Sequence, residues 1–307
     1  MYEILVTEPE YLDSEAEKVL ERAGHVTAMR LSRRALERAI PKFDAIFVRI
    51  ETTIDSELLK KAKKLKIIGS VTTGLDHIDV AAAKKLGIKI ISMHGTHTIA
   101  TAEHTMTLML ALCRKMPWAY DNVRRGRWER HRFIGTQLNG KILGLVGLGR
   151  VGSQLAEYAK AFGMRVIAYD PYVKSNDVKL VSNLDKLLRE SDIISIHAML
   201  TKETKGMVGS RQFRELKKGA FLVNTARAEI VDRRALLHAL RSGTLAGAAF
   251  DVFENEPIKS AEEPMIKYAQ EHDNLILTPH IGASTREAVR AGSVEIAEGV
   301  EKALKQF

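Results

Sequence analysis

At 307 residues the chain is long enough for two domains of ordinary size, and 45% hydrophobic residues suffice for full cores. A single cysteine, Cys113, excludes a disulfide framework and makes a reducing cytoplasm the expected compartment; no leader is expected ahead of MYEILVTEP, and no apolar run reaches the roughly 18 residues of a membrane span. The net charge of +9 suits anionic small molecules, but the positive residues are spread along the chain with acids nearby, a solvated surface rather than a nucleic-acid face.

Through the first hundred residues short apolar runs alternate with helical patterns. Strands are expected at Glu3 to Thr7, Val26 to Met29, Ala45 to Ile50, Leu65 to Ser70 and Ile88 to Met93. Helices are expected over Ser14 to Ala23, Ser32 to Ile40, Ile54 to Lys63 and Val80 to Leu86, with Gly24 and Gly87 just past two of the helix ends. Such alternation implies a parallel sheet covered on both faces. Thr98 to Met116 is a long apolar helix pattern. A basic arm to about Ile134 follows, in which Arg124, Arg125, Arg127, Arg130 and Arg132 surround Trp128; it reads as an exposed arm or subunit contact.

The stretch from Lys141 to Pro171 organises the rest. An apolar run, Ile142 to Val146, turns through Gly147, Gly149 and Gly152, continues at helical spacing to Phe162, and closes with a second apolar run ending at Asp170, 18 positions beyond Gly152. The pattern is that of a dinucleotide-binding βαβ unit: Gly147 for the tight turn, Gly149 for close approach of backbone to a pyrophosphate, Gly152 for helix-strand packing. The phosphates would face the helix N-terminus near Arg150. Asp170 would accept hydrogen bonds from the adenosine ribose, and its charge would repel a 2′-phosphate, so NAD is the expected cofactor rather than NADP. Further strands are expected at Ile193 to His197, Ala220 to Asn224, Ala246 to Phe250 and Leu275 to Thr278, about six in all, with helices over Asn183 to Glu190 and Arg233 to Arg241. The amphipathic pattern from Ser284 to Phe307 is expected to pack back on the first unit.

In an open parallel sheet, ligands lie at the carboxyl ends of the strands. Three tips carry chemistry there: Arg227 after one strand, Asp251 and Glu256 after the next, and His280 after the last. Arginine holds a carboxylate with two parallel hydrogen bonds, and histidine beside a carboxylate can exchange a proton with a carbonyl oxygen as hydride moves. This set suits reduction of a 2-keto acid.

With those residues in place, the chain resembles the D-isomer-specific 2-hydroxyacid dehydrogenases. The resemblance is carried by TTGLDHID (Thr72 to Asp79), ATAEH (Ala100 to His104), GLVGLGRVG (Gly144 to Gly152), YDPY (Tyr169 to Tyr172), NTARAEIVD (Asn224 to Asp232), AGAAFDVFENEP (Ala246 to Pro257) and TPHIGAST (Thr278 to Thr285). It implies two doubly wound domains: a flavodoxin-like substrate domain from residues 1–98 and 284–307, and a Rossmann NAD-binding domain from 99–283, whose helix and arm over 99–138 would make a homodimer. It also implies that Arg227 orients the substrate, that His280 is the acid/base and that Glu256 is its partner. Cofactor contacts are implied at Gly147, Gly149, Arg150, Val151, Gly152, Asp170, Thr225, Ala226 and Asp251, and substrate contacts at Arg49 and Gly74. The two domains are expected to close over the substrate.

Several positions depart from the family pattern. Glu51 stands where some members carry a second basic residue, and by charge it disfavours a phosphate. His77 and His97 stand where asparagine is usual, Ala228 replaces a glycine and Met199 a proline. His94 and His97 have no third ligand at metal spacing, so no metal is expected. The expected partner is a small anionic 2-hydroxy or 2-keto acid, with neither nucleic acid nor membrane. The leading substrate is 3-phosphoglycerate. Glyoxylate or hydroxypyruvate follows, favoured by Glu51 and by the absence of a further domain pattern, and an NAD(H)-sensing corepressor-like protein is the non-catalytic rival.

Overall fold

The structure, a computed structural model, describes all residues except Asn176 and Lys259. The chain divides into two units, Met1–His97 with Ser284–Phe307, and Thr98–Ala283.

In the first unit, β1 (Tyr2–Val6), β2 (Gly24–Ala28), β3 (Ala45–Val48), β4 (Ile67–Ser70) and β5 (Lys89–Ser92) form a sheet in the order β2-β1-β3-β4-β5. Every pairing is parallel, and the order is the flavodoxin-like one. Helices α1 (Ser14–Ala23), α2 (Arg33–Ala39), α3 (Ser56–Lys61) and α4 (Val80–Lys85) begin after Asp13, Ser32, Asp55 and Asp79, whose side chains each accept a backbone N–H of the first turn. Gly87 leaves α4 at φ +71, as expected of a glycine past a helix end. Gly24 does not behave this way: its φ is −176 and it opens β2 directly. Glycine is needed there because a Cβ would lie 2.1 Å from the Tyr2 carbonyl oxygen of the neighbouring strand.

The final helix, Arg286–Leu304, packs on this sheet. Its Ile296, Ala297, Val300 and Ala303 are buried among Ile4, Val6, Val19, Leu20 and Ile67. It sits so close to β4 that a Cβ on Gly69 would come within 2.7 Å of Val300 and 2.9 Å of Ile296.

The second unit begins with α5 (Thr98–Cys113) and α6 (Met116–Arg124). The single helix expected through Met116 ends early because Lys115 is left-handed, at φ 54, and Pro117 starts a new helix. Part of the expected basic arm is therefore helical: Arg124 closes α6, and Arg130–Phe133 form a 3-10 turn. Then follow β6 (Ile142–Val146), α7 (Arg150–Ala161), β7 (Arg165–Tyr169), β8 (Lys179–Leu180), α8 (Leu184–Glu190) and β9 (Ile193–Ile196). The unit finishes with α9 (Ser210–Arg214), β10 (Ala220–Asn224), α10 (Arg233–Arg241), β11 (Leu245–Phe250), α11 (Pro264–Glu271) and β12 (Leu275–Leu277).

Its sheet is ordered β12-β11-β10-β9-β6-β7-β8, the Rossmann order with one strand added beyond the expected six. All pairings are parallel, so every carboxyl end falls on one edge. Leu155, Ala156 and Ala159 of α7 pack with Met106, Met109 and Leu112 of α5 on one face. Leu187, Leu236, Leu240 and Tyr268, from α8, α10 and α11, cover the other.

Candidate active site

The glycine turn joins β6 to α7. Gly147 has φ +95, and a Cβ there would lie 2.8 Å from the Ala198 nitrogen, so neither conformation nor space admits a side chain. A Cβ on Gly152 would meet the Gly147 carbonyl oxygen at 2.6 Å, which fixes how closely helix and turn pack. Gly149 differs: a Cβ there would meet nothing within 4 Å. Glycine at that N-cap leaves room for a ligand to reach the main chain, where Arg150 and Val151 open the helix and orphan N–H groups favour an anion.

Asp170, just past β7, accepts from the Leu148 N–H on Oδ2 and from the Tyr172 N–H on Oδ1, both at 2.9 Å. These bonds orient the carboxylate toward the turn, and each oxygen keeps a lone pair for a ribose hydroxyl. Beneath the turn, at the end of β9, His197 lies with Nε2 2.8 Å from Ser195 Oγ. Burial pushes its pKa down to about 4, so it is neutral. Nothing in the sequence set this histidine apart from a surface one.

At the next strand tip, Asn224 shapes the turn that carries Arg227. Its Oδ1 accepts from the Ala226 N–H at 3.0 Å while its Nδ2 donates to the Arg227 carbonyl at 2.9 Å. Arg227 Nη1 donates to the Ala226 carbonyl at 2.7 Å, which sets the plane of the half-buried guanidinium. Thr225 Oγ1 is 2.8 Å from Thr105 Oγ1, and Thr105 donates to the Thr101 carbonyl, so the Thr225 hydroxyl is the donor of this pair.

His280 and Glu256 are brought together as expected. His280 Nδ1 lies 2.5 Å from Glu256 Oε2, and Glu256 Oε1 accepts from the Phe253 N–H at 2.7 Å. The carboxylate thus holds the ring through Nδ1, and Nε2 is the nitrogen on the other side of the ring. Both side chains are about a quarter exposed. His280 itself is left-handed, at φ 53.

Asp251, a further expected cofactor residue, is also bound to protein. It is 1% exposed, and its oxygens already accept from protein: Oδ1 from the Thr278 hydroxyl and the Ile281 N–H, Oδ2 from the Gly282 N–H. Burial opposes its ionisation, but hydrogen bonds from His104, Thr278 and Ile281 outweigh that and hold the carboxyl below its usual value. The structure therefore makes Asp251 a support for the segment that carries His280. Its partners His104 and Thr278 fell within the family-like stretches, but a helix-face histidine and a loop threonine carry no local signal of a shared task.

Arg49 and Gly74 belong to the first unit. Arg49 is 8% exposed, stacked 4.1 Å over the Tyr11 ring, and donates to Ser284 Oγ at 3.2 Å. Burial lowers its pKa from the ordinary arginine value, partly offset by Tyr11, Glu8 and Glu51. Glu8 itself is buried and accepts the N–H groups of Arg49, Glu51 and Thr52. Glu51 pairs with Arg30 at 2.6 Å, so its charge is partly compensated and its repulsion of a phosphate is weaker than the sequence alone implies. Near Gly74, Thr72 Oγ1 donates to the Gly74 carbonyl at 2.7 Å and is 2.7 Å from Ser70 Oγ, which His77 Nε2 approaches at 3.2 Å. His77 thereby joins a relay of hydrogen bonds that braces the Gly74 loop. His94 pairs with Glu295 at 3.5 Å, and Thr73 Oγ1 is 3.5 Å from the His97 ring.

The family model described as the D-isomer specific 2-hydroxyacid dehydrogenase NAD binding domain matches residues 106–282, more than half of the chain. The chain belongs to the D-isomer specific 2-hydroxyacid dehydrogenases. Among the relatives of this dehydrogenase family, D-3-phosphoglycerate dehydrogenase of Archaeoglobus fulgidus is 44% identical over 98% of this chain and 57% of its own length. Hydroxypyruvate reductase of Thermotoga maritima is 38% identical over 99% of this chain and 98% of its own. The crystal structure of the TT0316 protein from Thermus thermophilus superposes with a TM-score of 0.90 at 34% identity, covering 99% of this chain and 97% of that one. The chain thus spans little more than half the length of the phosphoglycerate dehydrogenase and nearly all of the reductase.

The second unit matches the NAD binding domain of this dehydrogenase family, and we propose that the turn, the open face of Gly149 and the Asp170 carboxylate form its cofactor site. Replacing Asp170 by alanine is expected to narrow the preference for NADH over NADPH by about tenfold or more, the scale of one charge-assisted hydrogen bond plus removed repulsion. Dissociation constants for the two cofactors, measured by fluorescence titration, check this; an unchanged ratio would remove Asp170 from the ribose site.

Proposed function

We propose that this chain is an NAD-dependent D-2-hydroxyacid dehydrogenase that interconverts 3-phosphoglycerate and 3-phosphohydroxypyruvate. The observation that carries the reading is the His280–Glu256 pair on the same sheet edge as Arg227 and the glycine turn. Bound NADH supplies the hydride. Arg227 holds the substrate carboxylate in the plane fixed by its bond to Ala226, and so orients C2. His280 gives a proton from Nε2 to the C2 oxygen in reduction and takes it back in oxidation. Glu256 stabilises the imidazolium and keeps the ring in one tautomer. Arg49 supports the phosphorylated choice: a buried guanidinium whose direct contacts are the Ser284 hydroxyl and the Tyr11 ring is a place for an anion, even with the Glu8 and Glu51 carboxylates nearby. Gly74 is taken as a further substrate contact through its backbone.

Glyoxylate or hydroxypyruvate reduction is the second reading, favoured by Glu51 and by the 38% identity to a hydroxypyruvate reductase. The protein is proposed to work in the cytoplasm as a homodimer. Exposed Tyr120, Trp128 and Ile134, on α6 and the arm, support the dimer contact. Among the described residues no helix is long and apolar enough to cross a membrane.

NADH oxidation over a panel of 2-keto acids tests the proposal. The expected result is the highest kcat/KM with 3-phosphohydroxypyruvate. Higher values with hydroxypyruvate or glyoxylate would select the second reading, and tight NADH binding with no turnover on any of them would point to a cofactor sensor.

A further inference from the structure

The tips of β11 and β12 hold a buried polar network that proton and hydride transfer do not themselves require. His104 reaches it from α5, with its side chain 16% exposed. Its Nε2 lies 3.2 Å from both Asp251 Oδ1 and Thr278 Oγ1. The Thr278 hydroxyl donates to Asp251 Oδ1 at 2.5 Å, so its proton is committed and its oxygen can only accept. The ring atom facing both oxygens, His104 Nε2, therefore carries a proton and donates to the pair.

The Asp251 carboxylate passes this constraint on. It accepts the Ile281 N–H at 3.0 Å and the Gly282 N–H at 2.8 Å, while the Asp251 main-chain carbonyl accepts the His280 N–H at 2.8 Å. Three successive N–H groups, 280 to 282, thus hang on one residue. Gly282 allows this approach, since a Cβ there would already stand 3.1 Å from Asp251 Oδ2. His280 adopts φ 53, a left-handed conformation unfavourable for a non-glycine residue that persists only where its surroundings over-determine it. The network around Asp251 supplies that determination, and a ring displaced by about 1 Å is enough to cost two orders of magnitude in rate.

We propose that His104 is a positioning residue for His280: as a shared N–H donor to Thr278 and Asp251, it locks the carboxylate that sets the backbone of residues 280–282 and so aims the His280 ring. The inference rests on the reading of His280 as the acid/base. It is tested by steady-state kinetics of NADH oxidation with 3-phosphohydroxypyruvate and hydroxypyruvate, alongside NADH titration, on four single variants and one double variant. His104→Leu, which fills the space without a donor, is expected to lower kcat by about 10- to 100-fold with NADH affinity unchanged. His104→Gln, whose amide N–H reaches the same point, is expected to recover most of that loss. Thr278→Val should reproduce the loss without touching α5, and it carries the test if His104→Leu does not fold. Combined with His280→Ala, His104→Leu should slow turnover no further, because two residues acting as a unit are not additive. The proposal is overturned by wild-type kcat in both His104→Leu and Thr278→Val, by a glutamine variant no better than leucine, by losses that multiply in the double variant, or by NADH affinity falling in step with kcat. A His280→Ala enzyme with normal turnover would overturn it too, and would mark the acid/base reading as the part that failed.

Discussion

Replacing His280 by alanine is expected to lower kcat by about 10²- to 10⁴-fold, the range of a lost general acid, while NADH binds as before. The expectation follows from the arrangement of the ring: Nδ1 is held by Glu256 at 2.5 Å, the peptide N–H by the Asp251 carbonyl, and only Nε2 is left for the reacting oxygen. None of those bonds belongs to the glycine turn, so the cofactor site should survive the change. Glu256→Gln should cost less, because the amide oxygen still accepts from Nδ1 but no longer carries the charge that stabilises an imidazolium. Steady-state kinetics with NADH titration decide the matter. A His280→Ala protein that loses NADH binding in proportion to turnover would make the histidine a structural residue.

The residues legible in the sequence are those whose chemistry is local. The three glycines declare themselves by spacing because each answers a constraint within a few residues: φ +95 at Gly147, open space at Gly149, contact with Gly147 at Gly152. Arg227, Glu256 and His280 could be placed on one edge because parallel strands put all their carboxyl ends together, whatever the loops do. The return of the last helix also followed from its amphipathic period, while the flavodoxin-like and Rossmann orders followed from the family resemblance rather than from the apolar runs alone. What stayed hidden depends on partners distant in sequence. β8 is two residues long and pairs only through its neighbour β7, so it has no apolar run to mark it. The break between α5 and α6 turns on the left-handed Lys115, which no pattern of hydrophobicity records. The resemblance implied a cofactor contact at Asp251; only the fold shows that its carboxylate also accepts from Thr278, Ile281 and Gly282, partners distant in sequence. Gly24 was assigned to a helix end, when the constraint on it comes from Tyr2, across the sheet.

The same distinction between local and distant constraint bears on Arg227, where a conservative change should be far from neutral. Lysine keeps the charge but replaces a planar fork with a single ammonium, so only one of two charge-assisted hydrogen bonds to a substrate carboxylate can form. The loss of one such bond, about 1.5–3 kcal/mol, corresponds to roughly 10- to 150-fold in kcat/KM. Lysine also cannot reproduce the present geometry, in which Nη1 donates to the Ala226 carbonyl at 2.7 Å while the turn is closed by Asn224 on both sides. Orientation of C2 should therefore suffer along with affinity, and kcat should fall as KM rises. Arg227→Met, which removes both charge and fork, should fall further. In both variants NADH binding should persist, because Arg227 lies past β10 while the dinucleotide turn lies past β6, at a separate strand tip of the same edge. A lysine variant whose kcat is unchanged and whose KM alone rises would show that Arg227 supplies only uniform binding, and the orienting role would then have to be sought in another residue.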